Sequence, residues 1–87
     1  MDDLEAIVDY IARDSPDYAR RLASRIVTLA EEIASYPGLG RMVPEFGVPS
    51  LRERICQGYR VVYRVRDNGS VVEIVRVQHG ARLLTDL

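Results

Sequence analysis

The sequence predicts an α+β fold in which an antiparallel pair of N-terminal helices packs on one face of a three-stranded antiparallel sheet. Apolar residues recur at helical spacing up to about residue 35, whereas β-branched and aromatic residues are concentrated after residue 50. Because the helices precede the strands, an antiparallel sheet covered on one face is favoured. The length of 87 residues fits a single domain spanning residues 1–87.

The first helix is predicted over residues 2–13, with Asp2 and Asp3 at its N-terminus and apolar residues at positions i, i+3, i+4 and i+7. Those apolar residues are Leu4, Ile7, Val8 and Ile11. Ser15 and Pro16 suit the N-cap and first position of a second helix, which is predicted to end near Ser35. Its predicted buried stripe consists of Leu22, Ile26, Leu29, Ala30 and Ile33.

A β-hairpin is predicted over residues 58–79, because Asn68-Gly69 separates two runs rich in Val, Ile and Tyr. Both residues tolerate the positive φ angles of a type I′ turn. This turn would place Tyr63 opposite Ile74 and Val62 opposite Val75.

The two faces of this hairpin have different compositions, because side chains alternate along a strand. The face predicted to be core carries Tyr59, Val61, Tyr63, Val65, Val72 and Ile74. The other carries Arg60, Arg64 and Arg66 with Val62, Val75 and Val77. We interpret this second face as an open, arginine-bearing interaction surface. The alternative is that its arginines only solvate an exposed sheet.

The remaining strand is predicted within residues 51–57, joined to the next by a tight turn at Gln57-Gly58. If Cys56 pairs with Tyr59, then Arg52 and Arg54 fall on the core face, unless a bulge, a longer turn or an edge position intervenes. Residues 36–50 are predicted to form an ordered loop. Three C-terminal leucines could dock the tail: Leu83, Leu84 and Leu87.

The composition excludes several classes of protein. Cys56 is the only cysteine, so an intramolecular disulfide or a cysteine-based zinc site is excluded, and we expect no cofactor. No apolar run reaches the ~18 residues that a membrane span needs, and no signal-peptide pattern occurs, which favours the cytoplasm.

Residues 1–45 are acidic and residues 46–87 basic, and every basic residue is Arg, which suits bidentate contacts to carboxylate or phosphate.

Segments in a fixed order over nearly the whole chain resemble the ParE/RelE superfamily, the toxins of type II toxin–antitoxin and plasmid-stabilisation systems. The matching segments are Asp3-Leu4-Glu5-Ala6-Ile7 with Tyr10-Ile11-Ala12, Pro37-Gly38-Leu39-Gly40-Arg41, Val43-Pro44-Glu45, Leu51-Arg52-Glu53, Tyr59-Arg60-Val61-Val62-Tyr63-Arg64-Val65 and Val72-Glu73-Ile74-Val75-Arg76-Val77-Gln78-His79-Gly80-Ala81-Arg82. Members usually begin with a strand before the first helix, and this chain lacks it. The resemblance therefore predicts an exposed sheet edge that recruits a second copy or an antitoxin segment.

The closing segment is more similar to the ParE branch, which the resemblance associates with poisoning of DNA gyrase. We therefore expect a toxin that acts by binding and is silenced by a cognate antitoxin through an amphipathic or extended acidic segment. The candidate charged contacts are Arg52, Arg60, Arg64, Arg76 and Arg82, with Arg60 the foremost.

Two alternatives remain open. A RelE-like ribosome-dependent mRNA interferase would use Arg60 to hold phosphate, with His79 and Glu53 as acid and base. Glu45 could stand in for Glu53 in that role. The third hypothesis is a non-toxic remnant that only binds an antitoxin.

Overall fold

The computed structural model describes residues 2–85, with side chains from residue 6 onward. Its helices are α1 (Asp2–Ala12) and α2 (Pro16–Ser35), and its strands are β1 (Arg41–Met42), β2 (Leu51–Cys56), β3 (Tyr59–Arg66) and β4 (Val71–His79). The strands form one sheet in the order β1-β2-β3-β4, with every neighbouring pair antiparallel. The predicted α+β fold is confirmed.

The strand count was wrong by one, because the predicted loop contains the two-residue strand β1. Arg41 pairs with Glu53 and Met42 with Arg52, so β1 covers only part of the outer edge of β2. No helix within residues 2–85 has the length and apolar character needed to cross a membrane.

Helix α2 begins at Pro16 as predicted, although the Ser15 side chain makes no capping hydrogen bond. The carbonyl of Ser15 instead accepts a hydrogen bond from the Ala19 N–H at 3.0 Å. The predicted stripe is buried except for Ala30, which is half-buried, and Ala19 joins it. Our predictions for the side chains of Asp2, Asp3 and Leu4, and for Leu87, lie outside the described part of the chain.

Both predicted hairpin turns are present. Asn68 has φ 56° and ψ 34° and Gly69 has φ 93°, the positive values that a type I′ turn needs, and the Ser70 N–H donates to the Asp67 carbonyl at 3.2 Å. Asp67 also has a positive φ of 52°, and the last strand pair is Arg66–Val71, so the connection spans residues 67–70. Gln57 and Gly58 also have positive φ angles, and Cys56 pairs with Tyr59.

A β-bulge in β4 changes the predicted register beyond the middle of the hairpin. Tyr63 pairs with Ile74 as predicted, but Val62 pairs with Arg76, so the predicted Val62–Val75 pair was wrong. The extra residue reverses the alternation of side chains. Val77 consequently packs in the helix-side core instead of on the arginine face.

The sheet carries an apolar cluster on each face. On the helix side the buried members are Leu22, Ile26, Leu29, Ile33, Val61, Tyr63 and Val77. On the opposite side Val43, Leu51, Val62 and Leu84 form a second buried cluster, with Val75 against it. The prediction that this second face is open was therefore wrong at its centre, where a loop residue and a C-terminal residue cover it. Leu51 is a member of this second cluster. Because Cys56 pairs with Tyr59, Leu51 lies on the same face of the sheet as Arg60, and β2 reaches this arrangement without the bulge that was considered.

Candidate interaction site

Arg60 lies at the centre of the second face and is only 5% exposed. Its Nε donates to Glu53 Oε1 at 2.7 Å, while Nη1 and Nη2 donate to the two carboxylate oxygens of Glu45 at 2.6 and 2.7 Å. The prediction that Arg60, the foremost candidate contact, lies on an open face was wrong, because these two carboxylates enclose the guanidinium group.

Glu53 is held between two guanidinium groups, and its side chain is fully buried. Arg41 contacts Glu53 Oε2 through Nε at 2.8 Å and through Nη2 at 2.6 Å. The four residues Arg41, Glu53, Arg60 and Glu45 therefore alternate in sign, and we call them the charged quartet. Among residues 2–85, no buried side-chain nitrogen or oxygen lacks a hydrogen-bond partner. The quartet is thus a satisfied network with no net charge.

The quartet changes the acidity of its members. Hydrogen bonding from Arg60, followed by the Leu84 N–H, lowers the pKa of Glu45 from 4.5 to about 2. The carboxylate of Glu45 likewise raises the pKa of Arg60 above its ordinary value. Both groups are therefore charged at neutral pH.

The quartet also fastens the C-terminal strap, which we define as residues 80–85. Arg60 Nη1 donates to the carbonyl of Arg82 at 3.2 Å, and the Leu84 N–H donates to Glu45 Oε2 at 2.9 Å. Gln78 Nε2 adds a hydrogen bond to the Arg82 carbonyl at 3.1 Å. The predicted docking of Leu84 is confirmed, whereas that of Leu83 was wrong, since Leu83 is 77% exposed.

The other predicted arginines do not meet at one point. Arg52 is half-buried on the opposite face and donates from Nη1 to the Gly40 carbonyl at 3.0 Å. Arg64 lies 3.7 Å from Glu73 on the face that carries Arg60. Arg76 is half-buried and Arg82 is exposed.

His79 lies on the helix side of the sheet, away from Arg60. It pairs with Tyr59 across the hairpin, and the two rings meet edge to face with centroids 5.9 Å apart. Its Nδ1 accepts a hydrogen bond from the Ala81 N–H at 3.2 Å. The structure therefore brings Arg60 and Glu53 together but leaves His79 on the other face. In the described part of the chain, no group of three or more His, Cys, Asp or Glu residues is arranged to hold a metal ion.

Arg41 and Ile55 border this site, and neither was singled out from the sequence. Ile55 lies opposite Arg60 in the sheet and is 55% exposed. A signal for Arg41 was available, because a glutamate in the middle of a strand that becomes buried needs cationic partners.

Comparison with known proteins gives a consistent result. The family model for the ParE toxin of type II toxin–antitoxin system, parDE, matches residues 1–84. Toxin RelE2 of Caulobacter vibrioides is 43% identical over 82 residues, covering 93% of this chain and 86% of the relative. Putative toxin Y4kP of Sinorhizobium fredii is 36% identical over 78 residues, covering 87% and 75% respectively. The chain therefore belongs to the ParE toxin family of type II toxin–antitoxin systems.

Proposed function

We propose that this toxin acts by binding and inhibiting DNA gyrase in the cytoplasm, and that a cognate antitoxin neutralises it. The observation that carries this proposal is the position of Arg60, which is engaged by Glu45 and Glu53 on the face opposite His79. The family membership supports the antitoxin partner.

Cleavage of RNA needs an acid–base group and a positive charge directed at the same phosphate. Here the guanidinium of Arg60 is directed at two carboxylates, and the His79 ring packs on Tyr59. This separation supports a role in binding over a role in bond breaking.

The charged contacts to gyrase or antitoxin are assigned to Arg52, Arg64, Arg76 and Arg82. Arg60 acts as a positioning residue, because it fixes the strap from which Arg82 projects. A second copy of the chain is proposed to pair with the outer edge of β4, which within residues 2–85 has β3 as its only strand neighbour. Light scattering tests this dimer, and a monomer at all concentrations would contradict it.

The experiment compares two assays on the purified toxin and its His79→Ala variant. We expect inhibition of gyrase supercoiling by both proteins and intact mRNA on programmed ribosomes. Cleavage of the mRNA by the wild type, lost in His79→Ala, would contradict the proposal and support an interferase that uses Arg60, Glu53 and His79. Neither activity, with antitoxin binding retained, would support a non-toxic remnant.

A further inference from the structure

We propose that a cavity at the end of the sheet that carries the β3–β4 turn binds a small organic oxyanion, that is, a phosphate or carboxylate group attached to an apolar ring. The cavity has a volume of about 480 Å³ and lies where this turn meets the residues that follow α2. It is separate from the charged quartet, none of whose residues line it. The inference goes beyond the proposed function, because the ligand is a small molecule and the site can be tested on the toxin alone.

Arg52 supplies the only charge among the described residues that line the cavity. It is half-buried, and within residues 6–85 its guanidinium makes no ion pair and one hydrogen bond, from Nη1 to the neutral Gly40 carbonyl at 3.0 Å. By contrast, Arg60 and Arg64 on β3 are each held by carboxylates. A guanidinium that is partly removed from water without a carboxylate beside it favours an anion supplied from outside the chain.

The available edge of this guanidinium defines the chemical group that it would take. The bond to Gly40 uses one of the five N–H groups of Arg52, which leaves the side formed by Nε and Nη2. Two parallel N–H groups on that side match two oxygens of a phosphate or a carboxylate. Ser50 and Asn68 also line the cavity and add a hydroxyl and an amide for further hydrogen bonds. This part of the cavity therefore suits an oxyanion.

The rest of the lining suits an apolar ring. Pro37, Pro49 and Val65 contribute aliphatic surface to the cavity. Ligand pockets commonly combine such a lining with a few polar groups, and they measure about 300–1,000 Å³. At about 480 Å³ the cavity is larger than an inorganic anion requires, so we expect the ligand to have an organic body.

Hydrogen bonds hold the walls of the cavity in place without a ligand. The Tyr63 hydroxyl donates to the Pro37 carbonyl, and the Val65 N–H donates to the Ser50 carbonyl, both at 2.8 Å. The β3–β4 turn forms another side, where a Cβ atom added to Gly69 would lie 3.9 Å from Pro37 Cγ. A preformed site loses less conformational entropy on binding, which favours affinity for a small ligand.

The test titrates the isotope-labelled toxin with phenyl phosphate and follows its backbone amide signals by NMR. We expect saturable shifts of the Ser50, Asn68 and Gly69 signals, with a dissociation constant on the order of 1 mM. Benzyl alcohol has the ring without the charge, inorganic phosphate has the charge without the ring, and both should bind at least about fivefold more weakly. Benzoate is titrated in parallel, and tighter binding of either organic anion supports the proposal and identifies the preferred oxyanion.

Two arginines on β2 provide a matched pair of variants. Arg52→Gln removes the charge that lines the cavity and should weaken phenyl phosphate binding by about tenfold or more. Arg54→Gln removes an exposed arginine of the same strand that does not line the cavity, and it should bind as the wild type does. The dispersion of the amide signals shows whether each variant is folded. If Arg52→Gln is not, Arg52→Lys keeps the charge without the bidentate geometry and should still bind less tightly than the wild type.

The proposal is overturned if phenyl phosphate does not bind, if its shifts fall elsewhere on the toxin, or if inorganic phosphate or benzyl alcohol binds as tightly. Equal binding by Arg52→Gln and Arg54→Gln would also overturn it. The assay contains neither gyrase nor antitoxin, so its outcome is independent of the proposed function.

Discussion

Arg60 of β3 and Glu53 of β2 form a buried ion pair in which Arg60 Nε and Nη2 lie 2.7 and 2.6 Å from Glu53 Oε1. Glu53 is fully buried and Arg60 nearly so. A buried pair of this kind is costly to break from one side, because the remaining charge is left in a poorly solvating environment. The pair therefore fixes the conformation of the second face, and its arginine is not free for a partner.

Replacing Arg60 with Met should lower the free energy of unfolding by about 3–5 kcal/mol, since it leaves the Glu53 and Glu45 carboxylates short of a partner. Urea denaturation followed by circular dichroism measures this change. Arg64→Met is the matched control. Arg64 pairs with Glu73 at the surface, where an ion pair contributes only about 0–1 kcal/mol. Equal losses in the two variants would contradict a structural role for the buried pair.

Glu45 should make stability depend on pH in the acid range. Its pKa falls from 4.5 to about 2 in the folded chain, because Arg60 and the Leu84 N–H hold the carboxylate. A depressed folded-state pKa contributes stability above pH 4.5, and this contribution is lost as the pH falls towards 2. Glu45→Gln should therefore be less stable than the wild type at pH 7, and the difference should shrink between pH 4.5 and 2. Urea midpoints across this range provide the measurement, and a constant difference would contradict the assignment.

The parts of the fold that were predicted correctly depend on local chemistry. Asn68 and Gly69 determine their turn through their own φ angles, and the apolar spacing of α2 determines its buried face. The bulge at Val75 could not be predicted, because it depends on how β4 packs along its whole length. Its consequence, the transfer of Val77 to the other face, was missed for the same reason.

The covering of the second face was missed because it depends on contacts between distant parts of the chain. Leu84 packs with Val43, Leu51 and Val62, and Glu45 reaches the strap across 39 positions of sequence. Alternation along a strand shows which residues share a face, but it does not show what covers that face. The sequence grouped Arg60 with Glu53 only as members of the alternative catalytic site, and neither their ion pair nor its burial was predicted.

The hydroxyl of Tyr63 holds the turn before β1 in place through two hydrogen bonds to backbone groups. It donates to the Pro37 carbonyl and accepts from the Gly40 N–H, both at 2.8 Å, and the residue has no exposed surface. Tyr63→Phe keeps the ring but leaves both backbone groups unpaired, which should cost about 1–3 kcal/mol. Thermal unfolding measures this loss, and an unchanged stability would show that water replaces the hydroxyl.

Gly40 should not tolerate even a methyl group. A Cβ atom at this position would lie 2.5 Å from the Glu53 carbonyl oxygen and 2.7 Å from the Tyr63 hydroxyl. The restriction is one of space, since the φ of −83° is open to any residue. Gly40→Ala should destabilise by about 1–3 kcal/mol. Gly38→Ala is the control, with nothing within 4 Å of its Cβ, and it should be neutral or slightly stabilising.

Leu84 and Leu83 are adjacent in the strap, but their truncation should change stability by very different amounts. Leu84 is 5% exposed and completes the second apolar cluster, whereas Leu83 is 77% exposed. Leu84→Ala removes buried methyl groups and leaves a cavity, so we expect a loss of about 2–5 kcal/mol. Leu83→Ala should change stability by less than about 0.5 kcal/mol. Urea denaturation of both variants checks the difference. Similar, small effects would contradict the packing of Leu84 against Val43, Leu51 and Val62, and would mean that the strap is not held on the sheet in solution.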